Sequence, residues 1–242
     1  MKKRICTACG IILLSVSVCN AQILNKLKTN VEKLVESAGE SGLTEDEVAA
    51  GLKEAITQGV TIGVERLSKA DGYFKDPEIK IPLPKEAKDV ETTLRQMGQD
   101  KKVDEAIESL NRAAENAAYG AKDIFVTAIK NLTLTDAMGI LNGRDDAATQ
   151  YLNKTTRSAL VSKFETIIKI SLDNVGATKH WNTVFSTYNK IPLVKKVNPD
   201  LSEYVTNKAI DGLFIQIAKQ ELEIRKNPAA RVTDLLKKVF GG

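Results

Sequence analysis

The chain has 242 residues, among them 35 basic and 31 acidic residues, three cysteines and one histidine. This length allows one sizeable hydrophobic core or two small ones, and the near balance of charge argues against a nucleic-acid-binding protein. One histidine and three cysteines are a poor set of soft ligands, so we expect no zinc or copper site and no other cofactor.

The first 21 residues have the pattern of a secretory signal peptide. Lys2, Lys3 and Arg4 precede an apolar run over residues 5–18, and the small residue Ala21 follows shortly after it. An apolar run of about 14 residues is shorter than the roughly 20 that span a bilayer, so we predict export and cleavage after Ala21. No later segment predicts a transmembrane span. We therefore expect a periplasmic protein of a bacterial cell envelope.

Cys19 leaves a lipoprotein as the alternative, because a lipid-modified cysteine would stand near the end of such an apolar run. Val18 precedes it, where a lipoprotein signal favours Gly or Ala, so we prefer the unmodified form. Cys6 and Cys9 also lie in this segment, so the mature chain would have no disulfide and no reactive thiol. Removing the three basic residues of the signal peptide would leave 32 basic residues against 31 acidic ones.

The first helix of the mature domain has an N-terminal capping motif and two glycines on its apolar face. Thr44 and Glu47 form a capping box, in which each side chain accepts a hydrogen bond from the backbone N–H of the other residue. Gly59 and Gly63 lie on the apolar face of the same helix. Glycines there would let a neighbouring helix approach closely, although each costs roughly 1 kcal/mol in helix propensity relative to alanine.

A long irregular segment separates this helix from the next one. Pro82 and Pro84 remove backbone donors and push the residues before them into extended geometry. Ile79, Ile81 and Leu83 alternate with polar or proline residues. We therefore predict an extended stretch that places one face against the helices.

Helical periodicity then continues to the C-terminus. The helix over about 201–226 is apolar nearly all round, so we predict that it forms the centre of the core. There is no internal repeat and no alternation of strands and helices, so we predict an all-α fold. It would be a single irregular multi-helix bundle over residues 44–242, with one extended Pro-containing loop and a partly helical lead-in over 22–43. The other predicted helices begin near residues 85, 103, 121, 135, 145, 181 and 228.

Two boundaries among these helices are assigned to particular residues. Thr133 or Thr135 can cap the short helix that ends before Asn142 and Gly143, which we expect to stop it in the left-handed conformation. Asp145 is expected to cap the helix that follows.

Several blocks of residues resemble a known family when they are taken together. In their order along the chain they resemble the bacterial domain-of-unknown-function 4197 family of exported envelope proteins, and the match runs from about Ala49 to the C-terminus. The resemblance implies an all-helical secreted protein, and because that family has no assigned activity, it transfers no functional residues. The blocks are Gly51–Ala55, Asp71–Phe74 with Ile79–Pro84, Asn111–Glu115, Asp136–Ala137, Ile140–Gly143 and Ala147–Tyr151.

A set of polar residues lies on the predicted helices at spacings that bring several of them together. Arg112 and Glu115 are one helical turn apart, as are Asp145 and Thr149. The set could line a ligand pocket between two helices, form ordinary surface ion pairs and caps, or form a buried ion-pair network that fixes helix register. Its members are Asn111, Arg112, Glu115, Asp136, Arg144, Asp145, Thr149 and Thr156.

The irregular segment contains two further groups of candidates. Tyr73 and Phe74 could contact a partner or a membrane face, or they could tuck beneath their own loop. Asp71, Asp76 and Glu78 could surround a calcium ion, although their spacing does not follow an EF-hand loop and acidic turn residues usually bond their own backbone.

Few groups in the chain suit catalysis. His180 is the one histidine of the sequence and has no accompanying Gly-x-Ser-x-Gly, phosphate-loop or dinucleotide motif, so we expect it at a helix end or on the surface. Our main hypothesis is a non-catalytic binding module for a lipid-like ligand, apolar or amphiphilic, or for an envelope protein, with a sizeable apolar cavity or groove. A hydrolase or lyase is the first alternative, and it needs Arg112, Glu115 and Asp136 together in an open cleft. A structural scaffold is the second.

Overall fold

The computed structural model describes residues 43–174, 181, 196, 198, 200–231 and 233–240. Within these ranges the regular structure is helical and contains no strand, which confirms the predicted all-α fold. The predictions made for residues 1–42 and for His180 fall outside the described residues. Thr44–Gly242 forms one compact unit.

Within the described residues short connections join successive helices, apart from the loop after the first helix. Most of residues 175–201, between the sixth and seventh helices, lie outside the described residues, and so does most of the helix predicted to begin near residue 181. Single 3₁₀ turns at Lys85–Ala87 and Pro228–Ala230 precede the second and the last of the described helices. The α-helices are α1 (Glu45–Leu67), α2 (Lys88–Gln96), α3 (Asp100–Ala118), α4 (Ala121–Lys130), α5 (Leu134–Leu141), α6 (Ala147–Asn174), α7 (Ser202–Lys226) and α8 (Asp234–Phe240).

Local sequence signals account for several helix ends. Thr44 and Glu47 form the predicted capping box at the start of α1, and Thr133 forms a second one with Asp136 at the start of α5. The left-handed stop predicted after α5 is wrong, because Asn142 has φ −85° and Gly143 is not in the left-handed region either. Instead, both the backbone N–H and the side-chain amide of Asn142 donate to the carbonyl of Met138, which closes the helix end.

Helix α7 is the centre of the core, as predicted. It packs against α1, α3 and α6, and Val205, Ala209, Ile210 and Leu213 on it are fully buried. Phe214 of the same helix meets Phe125 of α4 edge to face, with ring centroids 5.8 Å apart. Apolar residues from several helices therefore surround α7, and apolar side chains occupy most of its circumference.

Gly59 and Gly63 face α7, but the packing does not require glycine at either position. A Cβ atom added at Gly59 would lie 3.4 Å from Cβ of Gln220, and one added at Gly63 would lie 3.6 Å from Cγ1 of Ile217, both ordinary van der Waals distances. Gly212 of α7 does make room for the ring of Tyr73, because an added Cβ would lie only 2.8 Å from its Cε1 atom. The close approach that depends on a glycine is therefore the one between the loop and α7.

No single helix in the described ranges is long and apolar enough to cross a bilayer. The stretch Asp100–Lys130, which contains α3 and α4, has the length and composition of a span only when it is taken together with α5 (Leu134–Leu141). The chain bends by 107° between these two parts.

Two alanine substitutions test this packing, because they add the same methyl group in different surroundings. Gly212→Ala forces the Tyr73 ring to move and is expected to lower the free energy of unfolding by about 1–3 kcal/mol. Gly63→Ala meets only ordinary contacts, and the gain in helix propensity should raise that free energy by up to about 1 kcal/mol. Urea denaturation followed by circular dichroism measures both. Equal effects of the two variants would contradict the close packing at Gly212.

Candidate functional site

The loop formed by residues 68–84, between α1 and the first 3₁₀ turn, is held against α3 by a buried carboxylate. Glu115 is 3% exposed, and its Oε1 atom accepts the backbone N–H groups of Tyr73 at 3.1 Å and Phe74 at 3.2 Å. Its Oε2 atom accepts a hydrogen bond from Nη1 of Arg112 at 2.7 Å. A carboxylate buried to this degree remains charged only where donors surround it, and the loop backbone supplies two of them.

Arg112 joins this carboxylate to two more acidic side chains. Its Nη2 atom lies 2.8 Å from Asp71 and 2.9 Å from Glu108, and its guanidinium lies 5.4 Å from the centroid of the Phe74 ring. Glu115, and after it Asp71, hold the pKa of Arg112 above its usual range. Hydrogen bonds from Lys75 and Arg112 lower the pKa of Asp71. We call Asp71, Arg112 and Glu115, with Asn111, the loop clamp.

Asn111 binds the extended part of the loop in the way a neighbouring strand would. Its Oδ1 atom accepts the N–H of Ile81 at 2.8 Å, and its Nδ2 atom donates to the carbonyl of the same residue at 2.9 Å. Ile79, Ile81 and Leu83 are buried, while Lys80 is exposed, so the alternation expected from the sequence is present without a partner strand.

Tyr73 and Phe74 do not form an exposed contact surface, so that interpretation is corrected. Tyr73 is fully buried and its hydroxyl donates to the carbonyl of Ala209 at 2.7 Å, while burial, followed by the charge of Glu115, raises its pKa. Phe74 is half-buried, with the ammonium of Lys80 4.4 Å from its ring centroid. The backbone geometry of the loop, fixed by the clamp, turns both rings toward the protein.

The acidic residues considered for calcium have separate partners. Asp71 pairs with Arg112, Asp76 accepts from Gln216 at 3.0 Å, and Glu78 pairs with Lys219. Among the residues that the structure describes, no three His, Cys, Asp or Glu side chains are grouped so as to hold a metal ion.

A second buried ion pair joins the ends of two helices. Both carboxylate oxygens of Glu221 accept backbone N–H groups at the start of α6, from Ala148 and Thr149, each at 2.9 Å. Arg225 pairs with Glu221 at 2.8 Å and donates to the carbonyl of Ile140 at 2.8 Å, at the end of α5. A negative group thus lies at a helix N-terminus and a positive group at a helix C-terminus, as the helix dipoles favour. We call Glu221 and Arg225 the helix-end pair.

The helix-end pair replaces the cap that the sequence predicted for α6. Asp145 pairs with Lys226 at 2.6 Å, and the N–H groups that it was expected to satisfy are bound by Glu221. The reason is distance along the chain: Glu221 lies more than 70 residues from the N–H groups it accepts, so no local pattern indicates it. The signal in the sequence that could indicate this pair is an acidic and a basic residue four apart in an apolar helix.

The predicted polar set therefore divides rather than converging. Asn111, Arg112 and Glu115 belong to the loop clamp, and Thr149 belongs with the helix-end pair. The carboxylate of Asp136 bonds with Thr133 in the cap of α5, and no ion pair joins it to Arg112 among the described residues. The remaining members have separate partners: Arg144 is exposed and pairs with Asp146, Asp145 pairs with Lys226 at the end of α7, and Thr156 donates to the carbonyl of Leu152.

The spaces lined by described residues include a small cavity and two surface grooves. Between α1, α7 and the helix-end pair there is a cavity of only about 20 Å³, enough for about one water molecule. A groove of about 530 Å³ runs between α1 and α4. A more polar groove of about 440 Å³ lies at the start of α7. The α1–α4 groove is lined by Lys53, Glu54, Thr57 and Gln58 from α1 and by Val126, Ile129 and Lys130 from α4.

These features define an all-helical domain whose buried charged groups bind its own backbone, with its open space in surface grooves. The family model described as "Protein of unknown function (DUF4197)" matches residues 42–241, which is more than half of the chain. The chain therefore belongs to this family, which confirms the resemblance seen in its sequence blocks. No curated protein and no solved structure matches it.

The loop clamp predicts a particular dependence of stability on pH. Asp71 has φ +68°, a region that asparagine also tolerates, so Asp71→Asn removes the charge and keeps the backbone conformation. Since the pKa of Asp71 is lowered in the folded protein, its charge stabilises the fold above the ordinary aspartate value of 3.8. The variant should be less stable at neutral pH, and the difference should shrink as the pH falls through 3.8 and vanish below the folded-state pKa.

Urea denaturation at a series of pH values measures this difference. Asp89→Asn is the control, because the exposed carboxylate of Asp89 forms no ion pair among the described residues. A difference for Asp71→Asn that stays constant down to the lowest pH would contradict the ion pair with Arg112.

The helix-end pair predicts a large effect from one substitution in α7. Glu221→Ala removes the acceptor of two N–H groups of α6 and the carboxylate partner of Arg225, so we expect a loss of about 3 kcal/mol in the free energy of unfolding. Glu223→Ala is the matched control on the same helix, because Glu223 is exposed and its carboxylate accepts a 3.3 Å bond from the side chain of Asn227. It should change stability by about 0.5 kcal/mol or less. Equal losses in the two variants would mean that Glu221 does not cap α6.

Proposed function

We propose that this protein is a non-catalytic binding module, exported to the cell envelope, that holds an apolar or amphiphilic ligand in the α1–α4 groove. The observation that carries the proposal is the size and lining of that groove. Its volume of about 530 Å³ falls within the range of roughly 300–1,000 Å³ found for small-molecule sites. Most of the residues that line it are polar or charged, but most of the surface that they expose to the groove belongs to carbon atoms. Export rests on the signal-like pattern of residues 1–21.

Two of the polar side chains that line the groove are occupied by backbone carbonyls, which favours a ligand with an apolar part. The hydroxyl of Thr57 donates to the carbonyl of Lys53 at 2.7 Å inside α1. The side-chain amide of Gln58 donates to the carbonyl of Ala230 at 3.4 Å, outside the groove. The half-buried Val126 and the carbon atoms of the longer side chains supply the apolar surface that a ligand would cover, above the buried Ile129.

The arrangement of charged groups gives less support to the enzyme hypothesis. A hydrolase or lyase would need Arg112, Glu115 and Asp136 in an open cleft, but Glu115 is 3% exposed and bound to the loop backbone. Asp136 is used in a helix cap. A catalytic acid or base must reach a substrate, and these groups are held by backbone N–H groups and by Arg112 instead.

Fluorescence titration with N-phenyl-1-naphthylamine, a neutral apolar probe, tests the proposal on protein purified from cells that express the full chain. We expect saturable binding that falls about tenfold or more in Val126→Glu, since a charge then replaces apolar surface in the groove. Ile62→Glu is the control: Ile62 is 42% exposed on α1, the other helix that borders the groove, but does not line the groove. It should bind the probe as the wild type does, and both variants should give the circular dichroism spectrum of the wild type.

Two outcomes would count against the proposal. If the wild type does not bind the probe, the groove is not a ligand site and the scaffold alternative becomes the better one. If Val126→Glu and Ile62→Glu bind the probe equally well, the ligand lies elsewhere on the molecule.

A further inference from the structure

The charged residues of the α1–α4 groove indicate which chemical class of ligand it would bind. This inference rests on the function proposed above. Lys53, Lys130 and Glu54 line the groove together with its apolar residues. The ammonium of Lys53 donates to the carbonyl of Lys130 at 3.4 Å, which places it at the C-terminal end of α4. Lys130 is the last residue of α4, and its side chain begins where the ammonium of Lys53 ends. The two basic side chains therefore lie at the same end of the groove.

Both ammonium groups are free of carboxylate partners within the described residues. Neither Lys53 nor Lys130 forms a salt bridge there, whereas Lys219 and Lys226, on α7, each pair with a carboxylate. Two cations against the single carboxylate of Glu54 give the groove an excess of one positive charge. Positive charge beside an apolar surface complements a molecule with an anionic end and an apolar chain.

We infer that the ligand of the groove is a single-chain anionic amphiphile, bound as a monomer, with the chemistry of a fatty-acid anion. Its alkyl chain covers Val126 and the carbon atoms of the other side chains that line the groove, and its anionic head lies beside the ammonium groups of Lys53 and Lys130. Burial of the chain supplies most of the affinity, because exposed ion pairs each contribute only about 0.2–1 kcal/mol. The lysines therefore act mainly on selectivity between head groups.

A comparison of three amphiphiles with the same chain tests this inference. Dodecanoate, monododecanoyl glycerol and dodecyltrimethylammonium, each below its micelle concentration, would displace the naphthylamine probe from protein made from the full chain. We expect dodecanoate to bind tightest and the cationic compound weakest. Added salt should narrow the difference, because it screens exposed charges.

Charge variants separate the head-group contacts from the apolar ones. Lys53→Gln and Lys130→Gln should each weaken dodecanoate binding about two- to fivefold, whereas Glu54→Gln should strengthen it by a similar factor. All three should leave the binding of the neutral compound unchanged. Lys208→Gln is the control, because Lys208 is an exposed lysine that lines the other groove. This variant should change the binding of neither dodecanoate nor the neutral compound.

The possible results distinguish failure of this inference from failure of the proposed function. Equal binding of all three amphiphiles, lost together in Val126→Glu, would overturn the anionic head group and leave the groove as an apolar site. Absence of binding by every amphiphile and by the probe would overturn both proposals. Lysine-dependent sedimentation with anionic phospholipid vesicles, without binding of monomeric dodecanoate, would overturn the inference in favour of a membrane surface.

Discussion

The carboxylate of Glu115 lies at the junction of α3 with the loop before α2, and the arrangement of the loop depends on it. A buried carboxylate is expensive to desolvate, so it persists only because Arg112 and the N–H groups of Tyr73 and Phe74 surround it. Those bonds fix the backbone beside Tyr73, whose ring then enters the space left by Gly212 on α7. One ionic contact thus connects the loop to both α3 and the central helix.

The helix-end pair solves the same physical problem at another place in the bundle. Helices that end inside a protein leave backbone N–H and carbonyl groups without partners, and burying such groups unpaired is costly. Glu221 accepts the N–H groups of α6, and Arg225 donates to the end of α5. In both clusters the buried charges satisfy the chain's own backbone. They stabilise a fold with a closed core and leave the surface for recognition.

Local patterns predicted the parts of this fold that local physics determines. The capping box of Thr44, the apolar character of α7 and the alternation in the loop each depend on residues a few positions apart. The spacing of Arg112 and Glu115 also predicted that they would meet. Their further partners could not be read from the sequence, because Tyr73 lies 42 residues from Glu115 and is brought there by the packing of α1 against α7. The same limit explains why Asp145 was assigned the cap that Glu221 provides.

The α1–α4 groove is a consequence of how the core positions two helices, and this bears on its use. Helix α1 packs against α7 and α4, and α4 packs also against α6 and places Phe125 edge to face with Phe214 of α7. Both walls of the groove therefore belong to the packed core rather than to loops. A ligand that binds there does not have to order the site first, so less of its binding free energy is lost to conformational entropy. In the proposed binding mode, burial of the alkyl chain supplies most of the affinity and the two lysines distinguish between head groups.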